Sequence, residues 1–370
     1  MISNHSIAIL VPHRFLPIKN GGHQVCFDLC RYLGQFTTVH CLSVPNNEYS
    51  GDANFSLEPI FSSSILKYLN PWYIYTLYKF FKTQAIEVCI VNQPFQAPIA
   101  YIACKLAGVQ FIVYSHNIEY LRFRSFQKWW AITIFSIEWL AYKSADLVLF
   151  ISKQDQSQAR RLYKLTPGTC CFFPHLIEHS VPPIRTPPES ECKILYFGDL
   201  RYQPNIVSLE NIFFEILPLL GKEDNFQYSM IVCGAESDST YIRDCAKSIP
   251  HVTFYGYVED LDRLISQCHL VLNPVLTSGG VQTKIIRSLS IGVSVVTSST
   301  GAQGIVQEVD TPKLTIVEDR NWKGYVTSIV SLYNNRSTFD STPQIFYDTY
   351  YWKTVIGRFF DRLSSLGTRN

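Results

Sequence analysis

Two glycine-bearing turns in the second half of the sequence carry residues suited to binding a diphosphate. Gly279 and Gly280 follow a strand-like run, and Lys284 lies in the first turns of the helix predicted after them. Backbone N–H groups at such glycines can approach a phosphate, the start of a helix favours negative charge, and Lys284 adds a positive charge. Gly301 lies in a second turn predicted at the same edge. The alternative is a pair of ordinary strand–helix turns.

The first half carries two further candidate groups. Gly21 and Gly22 precede a predicted helix, where they too suit a phosphate, although an ordinary turn is the alternative. Their spacing matches neither GxGxxG nor a P-loop, which argues against NAD and ATP. His116 follows the fourth apolar run and is followed by Asn117 and Glu119. A neutral imidazole can donate to a substrate hydroxyl or exchange a proton near pH 7; otherwise it caps local backbone.

The segments that must position these residues alternate between short apolar runs and longer helical patterns. Continuous apolar strands separated by helices predict parallel sheets covered on both faces. Predicted helices include residues 22–34 and 97–107. Predicted strands are Ile7–Val11, Thr37–Leu42, Val88–Val91, Gln110–Tyr114, Leu147–Ile151, Lys193–Phe197, Ser229–Cys233, Val252–Tyr255, Leu270–Leu272, Val293–Thr297 and Leu314–Val317.

This pattern is interrupted once, at residues 180–191 (SVPPIRTPPESE), which hold four prolines and no periodicity. We therefore predict an α/β protein with two doubly wound, Rossmann-like domains, residues 1–180 and 192–345, joined by a linker at 181–191. Because ligands bind at the carboxyl ends of strands in such sheets, the expected site is a cleft between the two halves.

Length and composition narrow the class of protein. A chain of 370 residues exceeds one ordinary core, and 47% apolar residues exclude a disordered chain. The net charge of +2 is too small for a dedicated nucleic-acid binder. The charge is unevenly distributed, with 15 Lys+Arg against 9 Asp+Glu through residue 170 and 17 against 21 after it. A basic first half and an acidic second half imply different partners.

The cysteines and the apolar segments indicate a cytoplasmic location. Eleven cysteines are scattered through apolar segments, as is typical of reduced thiols, and no secretory leader begins the chain. The most apolar stretch, 129–151, contains Glu138, Lys143 and Asp146, so we expect a helix followed by a buried strand rather than a membrane span.

Residues 65–82 could bind a membrane surface. The segment ILKYLNPWYIYTLYKFFK combines many aromatic residues with Lys67, Lys79 and Lys82. Aromatic rings at headgroup level and lysines on anionic phosphates suit an interface. The alternative is a core helix with a solvated edge, which Pro71 would interrupt.

Taken in order, these features are similar to the retaining nucleotide-sugar glycosyltransferases called group 1 or family 4, which have the GT-B fold. The resemblance covers nearly the whole chain. The matching motifs are Gly21-Gly22, the HNxE-like His116-Asn117-Ile118-Glu119, Ser144-Ala145-Asp146 before Ile151-Ser152, Phe197-Gly198-Asp199-Leu200 before Pro204-Asn205, the block GGVQTK…SIGVSVVTSSTGAQGI, and Tyr351-Trp352.

The resemblance implies a role for each domain. The second would bind the nucleotide and the first the acceptor, a saccharide or lipid-linked saccharide, with residues 346–370 packing back towards the first domain. His116 would lie beside the transferred sugar, with Asn117 and Glu119 on the acceptor side. The diphosphate would be bound by Gly21, Gly22, Arg201, Gly279, Gly280, Lys284, Arg287 and Gly301. The protein would stabilise the departing diphosphate and need no metal or other cofactor.

The sequence departs from the family at two important positions. The family typically has two glutamates eight residues apart, which fall at Gly279 and Arg287, and neither is acidic. A guanidinium only donates hydrogen bonds, so it cannot accept from ribose hydroxyls as a carboxylate does. A GT-B protein that binds sugar nucleotides without transfer is therefore the main alternative. An epimerase would require acid and base carboxylates in the cleft, which the sequence does not provide.

Overall fold

The chain forms two compact units. The computed structural model describes residues 6–49, 54–125, 127–183, 185, 187, 190–235, 240–277, 280–305, 311–336 and 342–367. The first unit comprises Met1–Leu176 and Trp352–Asn370, and the second comprises Ile177–Tyr351. Residues 346–351 thus belong to the second unit, and the segment that returns to the first unit begins at Trp352 rather than at residue 346.

The first unit contains a seven-stranded parallel sheet of order β3-β2-β1-β4-β5-β6-β7. Its strands are β1 Ser6–Leu10, β2 Thr38–Leu42, β3 Ser56–Glu58, β4 Val88–Asn92, β5 Gln110–Ser115, β6 Leu147–Phe150 and β7 Cys170–Phe172. The helices before the crossover are α1 Gly21–Leu33, α2 Trp72–Thr83, α3 Ala97–Ala107, α4 Glu119–Ser125, α5 Ala131–Ser144 and α6 Lys153–Tyr163.

The second unit contains a six-stranded parallel sheet of order β10-β9-β8-β11-β12-β13. Its strands are β8 Cys192–Phe197, β9 Tyr228–Cys233, β10 Val252–Gly256, β11 Leu270–Asn273, β12 Ser294–Ser298 and β13 Leu314–Val317. Its helices are α7 Gln203–Asn211, α8 Leu217–Leu220, α9 Tyr241–Ser248, α10 Leu261–Ser266, α11 Thr283–Ser290, α12 Trp322–Asn334 and α13 Gln344–Tyr350.

Both parallel sheets confirm the fold predicted from the apolar runs. Every residue of β4 and of β12 is buried, because helices cover both faces of each sheet. Two strands, β3 and β7, were not predicted, since three residues are too few to show a period. The stretch 129–151 forms α5 and β6, as expected. No helix within the described parts of the chain has the length and apolarity needed to cross a bilayer.

The final helix, α14 (Trp352–Leu366), belongs to the first unit. Trp352 stacks on Tyr32 of α1 with ring centroids 4.9 Å apart, and Phe360 lies 6.1 Å from Phe36. The Gln110 side chain donates to the Gly367 carbonyl at 2.8 Å. These contacts tie α14 to α1 and β5.

Each sheet has one position where its strand order reverses. In the first unit the chain passes from β1 to β2 and β3 on one side, and then resumes at β4 on the other side of β1. In the second unit, β9 and β10 lie on one side of β8, and β11 lies on the other. Adjacent connections diverge at these places and leave a crevice outside the carboxyl ends of the strands. Ligand sites are therefore expected at the ends of β1 and β4 in the first unit, and at the ends of β8 and β11 in the second.

The structure adds detail to two predicted segments, the linker at 181–191 and the aromatic segment at 65–82. Residues 184, 186, 188 and 189 of the linker lie outside the described residues. Arg185 is held by the second unit, since it donates to the carbonyls of Gly292 at 2.7 Å and Cys268 at 2.5 Å. Residues 65–82 form a short 3-10 turn, Ile65–Tyr68, followed by α2, and Pro71 lies directly before the first residue of that helix.

Candidate functional site

Lys284 lies beside the end of β8 in the second unit, with its ammonium group inside the protein. It is only 7% exposed, and its Nζ donates to Tyr196 Oη at 3.3 Å and Asn205 Oδ1 at 3.2 Å. Nζ also lies 4.3 Å from the centroid of the Tyr196 ring. Burial lowers the pKa of Lys284 to about 7. The predicted phosphate-binding lysine is thus a poorly solvated cation held by neutral groups.

The end of β11 carries a buried polar atom that the described protein does not satisfy. Asn273 is fully buried, and its Nδ2 donates to Thr297 Oγ1 at 3.0 Å. Its Oδ1 has no hydrogen-bond partner among the described residues. Buried polar atoms are nearly always paired, so an unpaired oxygen at the strand-order reversal suits a ligand or water with a hydrogen to donate.

The structure gives Gly301 a packing role within the protein. A Cβ at this position would lie 2.4 Å from Thr297 Oγ1 and 2.7 Å from Asn273 Nδ2, so no side chain fits. The Gly301 N–H already donates to Ser298 Oγ at 2.9 Å. Packing within the protein therefore accounts for a glycine at position 301 without a diphosphate, and the Gly301 N–H is already used in a hydrogen bond within the protein.

The loop before α11 is only partly described. Gly279 lies outside the described residues, whereas Gly280 adopts φ +101°, a conformation that favours glycine. Arg201, after β8, makes a bidentate ion pair with Asp199, with Nε–Oδ1 and Nη2–Oδ2 distances of 2.7 Å. The side chain of Arg201 is 39% exposed, so the pair lies at the surface near the end of β8.

Arg287 is paired with a carboxylate from a neighbouring helix. Its Nε donates to Asp262 Oδ1 of α10 at 2.5 Å, and both side chains are partly exposed. An acidic side chain, that of Asp262, therefore lies beside position 287. Sequence spacing could not show this, because the two positions are 25 residues apart.

In the first unit, the strand-order reversal brings together His13, Cys26 and Asn92. His13 Nε2 lies 3.9 Å from Cys26 Sγ, and Asn92 Nδ2 donates to that sulfur at 2.7 Å. Asn92 Oδ1 is buried and has no hydrogen-bond partner in the described part of the chain. Burial lowers the pKa of His13 to about 4, helped by His23 and Lys67. These three side chains therefore form an uncharged polar cluster in which Asn92 Oδ1 lacks a partner among the described residues.

His116 lies just after β5 and is nearly buried. Its ring packs edge-on against Tyr114, with centroids 4.7 Å apart, and its Nε2 has no hydrogen-bond partner among the residues described. Burial, followed by the charges of His13 and His175, lowers the pKa of His116 to about 3. The imidazole is therefore neutral at pH 7, which favours hydrogen bonding over the proton exchange near pH 7 considered from the sequence.

Asn117 and Glu119 belong to an internal network. Asn117 Nδ2 donates to Glu119 Oε1 at 3.2 Å, and Arg122 pairs with Glu119 at 3.0 Å. Glu119 is 1% exposed, and its backbone N–H donates to Glu138 Oε1 at 2.7 Å. These contacts hold the turn after His116. Because the Glu119 carboxylate is buried and already paired, it is poorly placed to contact an acceptor.

Gly21 and Gly22 form the start of α1, as predicted. Asn20 caps the helix by accepting from the His23 N–H at 3.0 Å. A Cβ at Gly22 would meet only Asn20 Oδ1, at an ordinary 3.4 Å, so the described protein does not itself require glycine there. An approaching ligand would explain that choice.

Several residues of these two sites were not singled out from the sequence. His13, Asn92 and Asn273 lie at or just beyond the last residue of a strand. A search for polar residues at strand ends would have found them, because ligands collect at that edge. Asp262 and Tyr196 had no comparable signal. The described residues contain no group of three or more His, Cys, Asp or Glu placed to hold a metal ion.

Two family models match the chain. "Glycosyltransferase Family 4" matches residues 19–180, and "Glycosyl transferases group 1" matches residues 191–335. None of the curated proteins compared with the chain matches it in sequence.

Solved structures share its fold at low sequence identity. Sucrose-phosphate synthase from Thermosynechococcus elongatus has a TM-score of 0.75 at 14% identity, over 98% of this chain and 100% of that one. Anabaena HepE in complex with UDP-glucose has a TM-score of 0.70 at 15% identity, over 97% and 99%. The lipopolysaccharide outer core galactosyltransferase WaaB has a TM-score of 0.65 at 14% identity, over 97% and 99%.

Proposed function

Because the chain belongs to the group 1 and family 4 glycosyltransferases and has their GT-B fold, we propose that it transfers a sugar from a nucleoside-diphosphate sugar to a saccharide or lipid-linked saccharide with retention of configuration. The observation that carries this proposal is the buried cation Lys284 beside the strand-order reversal of the second sheet. A cation held at the carboxyl edge suits a diphosphate leaving group. UDP is the first nucleotide to test, since HepE is described in complex with UDP-glucose.

The first unit supports binding of the acceptor. His116 Nε2 and Asn92 Oδ1 are buried polar atoms without partners in the described chain, at the carboxyl edge of the first sheet. Sugar hydroxyls both donate and accept, so they can satisfy a neutral imidazole and an amide oxygen. We further propose a role in cell-surface polysaccharide or glycolipid synthesis at the cytoplasmic face of a membrane, with no metal ion required.

The donor proposal is tested by thermal unfolding with UDP, GDP and ADP, followed by analysis of the transfer product. A nucleotide that binds only the folded protein at a hundred times its dissociation constant stabilises it by about 2.7 kcal/mol. We expect UDP to raise the melting temperature, product NMR to show retention, and added EDTA to leave transfer unchanged. His116→Ala should keep the UDP shift and lose transfer. Binding without transfer in the wild type, across donors and acceptors, would favour the non-catalytic alternative.

The Arg287–Asp262 pair suggests how ribose is held. We propose that Asp262, oriented by Arg287, supplies the carboxylate that the family has at position 287. Its Oδ1 faces the guanidinium, and Oδ2 can accept a hydrogen from a ribose hydroxyl. A hydrogen bond to a charged group contributes about 1.5–3 kcal/mol.

Asp262→Asn should therefore weaken UDP binding by about tenfold while leaving the affinity for 2′,3′-dideoxy-UDP unchanged. Isothermal titration with both nucleotides measures the difference, and Glu259→Gln is the matched control, since Glu259 is an exposed acidic residue just before α10. Equal weakening for both nucleotides would assign Asp262 a structural role only.

A further inference from the structure

Three neighbouring helices of the first unit expose large apolar side chains on their outer surface. α2 packs along α3, and α3 packs along α5, so the three helices form one layer on the sheet. On α2, Trp72 and Tyr75 are 68% and 55% exposed, and on α3 Ile102 and Leu106 are exposed. We call the outward surface of α2, α3 and α5, with the turns that precede α2 and α5, the helical face.

The apolar part of the helical face continues on both sides. The 3-10 turn before α2 exposes Ile65 and Leu69, the latter by 81%. The residues at the start of α5 expose Trp129 by 88% and Ile132 by 64%, and Trp139 is exposed two turns later. Single exposed apolar residues are ordinary, but this many on three packed helices are typical of a surface that binds a partner.

The charged residues of the helical face are all basic where they meet solvent. Lys79 and Lys82 on α2, Lys105 on α3 and Lys143 on α5 are exposed. The sole acidic residue in these three helices is Glu138, which is buried. A surface with this charge attracts an anionic partner, and its exposed tryptophans suit the headgroup region of a bilayer.

The helices also share a direction. Each leads to the amino end of a parallel strand, so its first turn lies at the carboxyl edge of the sheet. Trp72, Trp129 and Ile132 lie at that edge, whereas Lys82 and Lys143 lie at the opposite ends of their helices. Trp72, Trp129 and Ile132 therefore lie at the end of the helical face nearest the strand termini that carry His116 and Asn92, whereas Leu106 lies at the other end.

We propose that the helical face binds a bilayer containing anionic lipid, with its exposed apolar side chains at headgroup depth and its lysines on lipid phosphates. This widens the membrane-binding segment from residues 65–82 to three helices, and it excludes Lys67, which is buried. The inference deepens the proposed function and rests on it for its purpose, because the carboxyl edge of the first sheet would then face lipid-linked acceptors. Membrane binding itself can be measured without any transfer.

The test is flotation of the full chain with vesicles of phosphatidylcholine alone or with 30% phosphatidylglycerol. We expect flotation with the anionic vesicles, weakened by 0.5 M salt. Trp72→Ser with Trp129→Ser should lower the partition coefficient at least tenfold, and so should Lys79→Gln, Lys82→Gln and Lys143→Gln together. The matched control is Tyr255→Ser with Tyr257→Ser, which removes two exposed rings from the second unit and should change nothing.

UDP-induced thermal stabilisation, measured on every variant, separates this inference from the proposed function. Variants that fail to float but keep the UDP shift are folded and support the helical face. A wild-type chain that stays with the dense fraction at low salt, or variants that float like it, would overturn the inference while leaving donor binding intact. A dimer in solution that Trp72→Ser dissociates, without flotation, would instead assign the face to a second copy of the chain.

Discussion

Replacing Lys284 by methionine should raise the dissociation constant for UDP by about a hundredfold, which corresponds to about 2.7 kcal/mol. Methionine keeps an unbranched side chain against Tyr196 and removes the cation. In the wild type that cation is surrounded by neutral groups, Tyr196 Oη and Asn205 Oδ1, and it is almost shielded from water. A diphosphate would supply the charge that this environment lacks, so the interaction is stronger than it would be at the surface.

The same environment makes donor binding depend on pH. Burial lowers the pKa of Lys284 to about 7, so the free protein loses this charge as the pH rises through neutrality. A bound diphosphate would raise that pKa again, and binding above pH 7 must therefore take up a proton. We expect the dissociation constant for UDP to increase by up to about tenfold per pH unit between pH 7 and pH 9.

Isothermal titration at several pH values measures both effects. Lys284→Met should remove the pH dependence together with the affinity. Lys247→Met, which replaces an exposed lysine of α9, is the control and should behave as the wild type. If Lys284→Met bound UDP as tightly as the wild type, Lys284 would be excluded from the donor site. If the variant lost affinity but UDP binding by the wild type did not depend on pH, Lys284 would belong to the site without a lowered pKa.

Glu138→Ala is expected to destabilise the first unit by about 4 kcal/mol. Glu138 is fully buried and accepts four hydrogen bonds, from the backbone of Glu119 and Tyr120 and from the hydroxyls of Tyr142 and Tyr163. Truncation leaves the backbone N–H groups of Glu119 and Tyr120 and the Tyr163 hydroxyl without this acceptor, and a buried donor without an acceptor costs about 1–3 kcal/mol before water enters. Urea unfolding followed by tryptophan fluorescence reports on this unit, which contains five of the six tryptophans.

Two further variants test the role of Glu138 in stability. Glu48→Ala, at an exposed glutamate of the same unit, should cost almost nothing. Burial raises the pKa of Glu138 to about 7, so the folded protein keeps a proton that the unfolded chain loses near pH 4.5. Stability should therefore fall as the pH rises through that interval, and Glu138→Gln should flatten this dependence. Equal stability of Glu138→Ala and wild type would contradict the network's role.

The network also connects to the site. Ser115 Oγ lies 2.7 Å from Tyr142 Oη and 2.8 Å from the Asn117 carbonyl oxygen. Because the Tyr142 hydrogen goes to Glu138, the single Ser115 hydrogen goes to one or the other of these two oxygens. The turn that carries His116 is thus held from Glu138 through two hydroxyl groups. Glu138→Gln should consequently reduce transfer more than it reduces donor affinity.

The architecture was predictable because it depends on local periodicity. A strand buried on both faces must be apolar throughout, as in Val88–Asn92, and a helix between two such strands forces a parallel crossover. The positions of Gly21 and His116 followed from the same rule, since both come just after a strand or begin the next helix. Strands β3 and β7 are too short for periodicity to reveal them.

The chemistry of the sites was less predictable because it depends on contacts distant in sequence. Nothing near Lys284 indicates that Tyr196 and Asn205 enclose it, and nothing near Arg287 indicates Asp262. Gly301 shows a different limit of the motif, since the side chains of Thr297 and Asn273 already require a glycine there. A motif identifies residue types, whereas burial and partners decide their charge and availability.

The return of α14 to the first unit has a consequence for synthesis of the chain. The second unit is one continuous segment, and the chain enters and leaves it at adjacent points, since the Ile177 N–H donates to the Tyr350 carbonyl at 3.1 Å. During synthesis the first unit therefore lacks α14, and with it the aromatic partner of Tyr32, until the whole second unit has been made. The half of the protein that is translated first is thus the half completed last, because Trp352 and the rest of α14 follow the second unit in the chain.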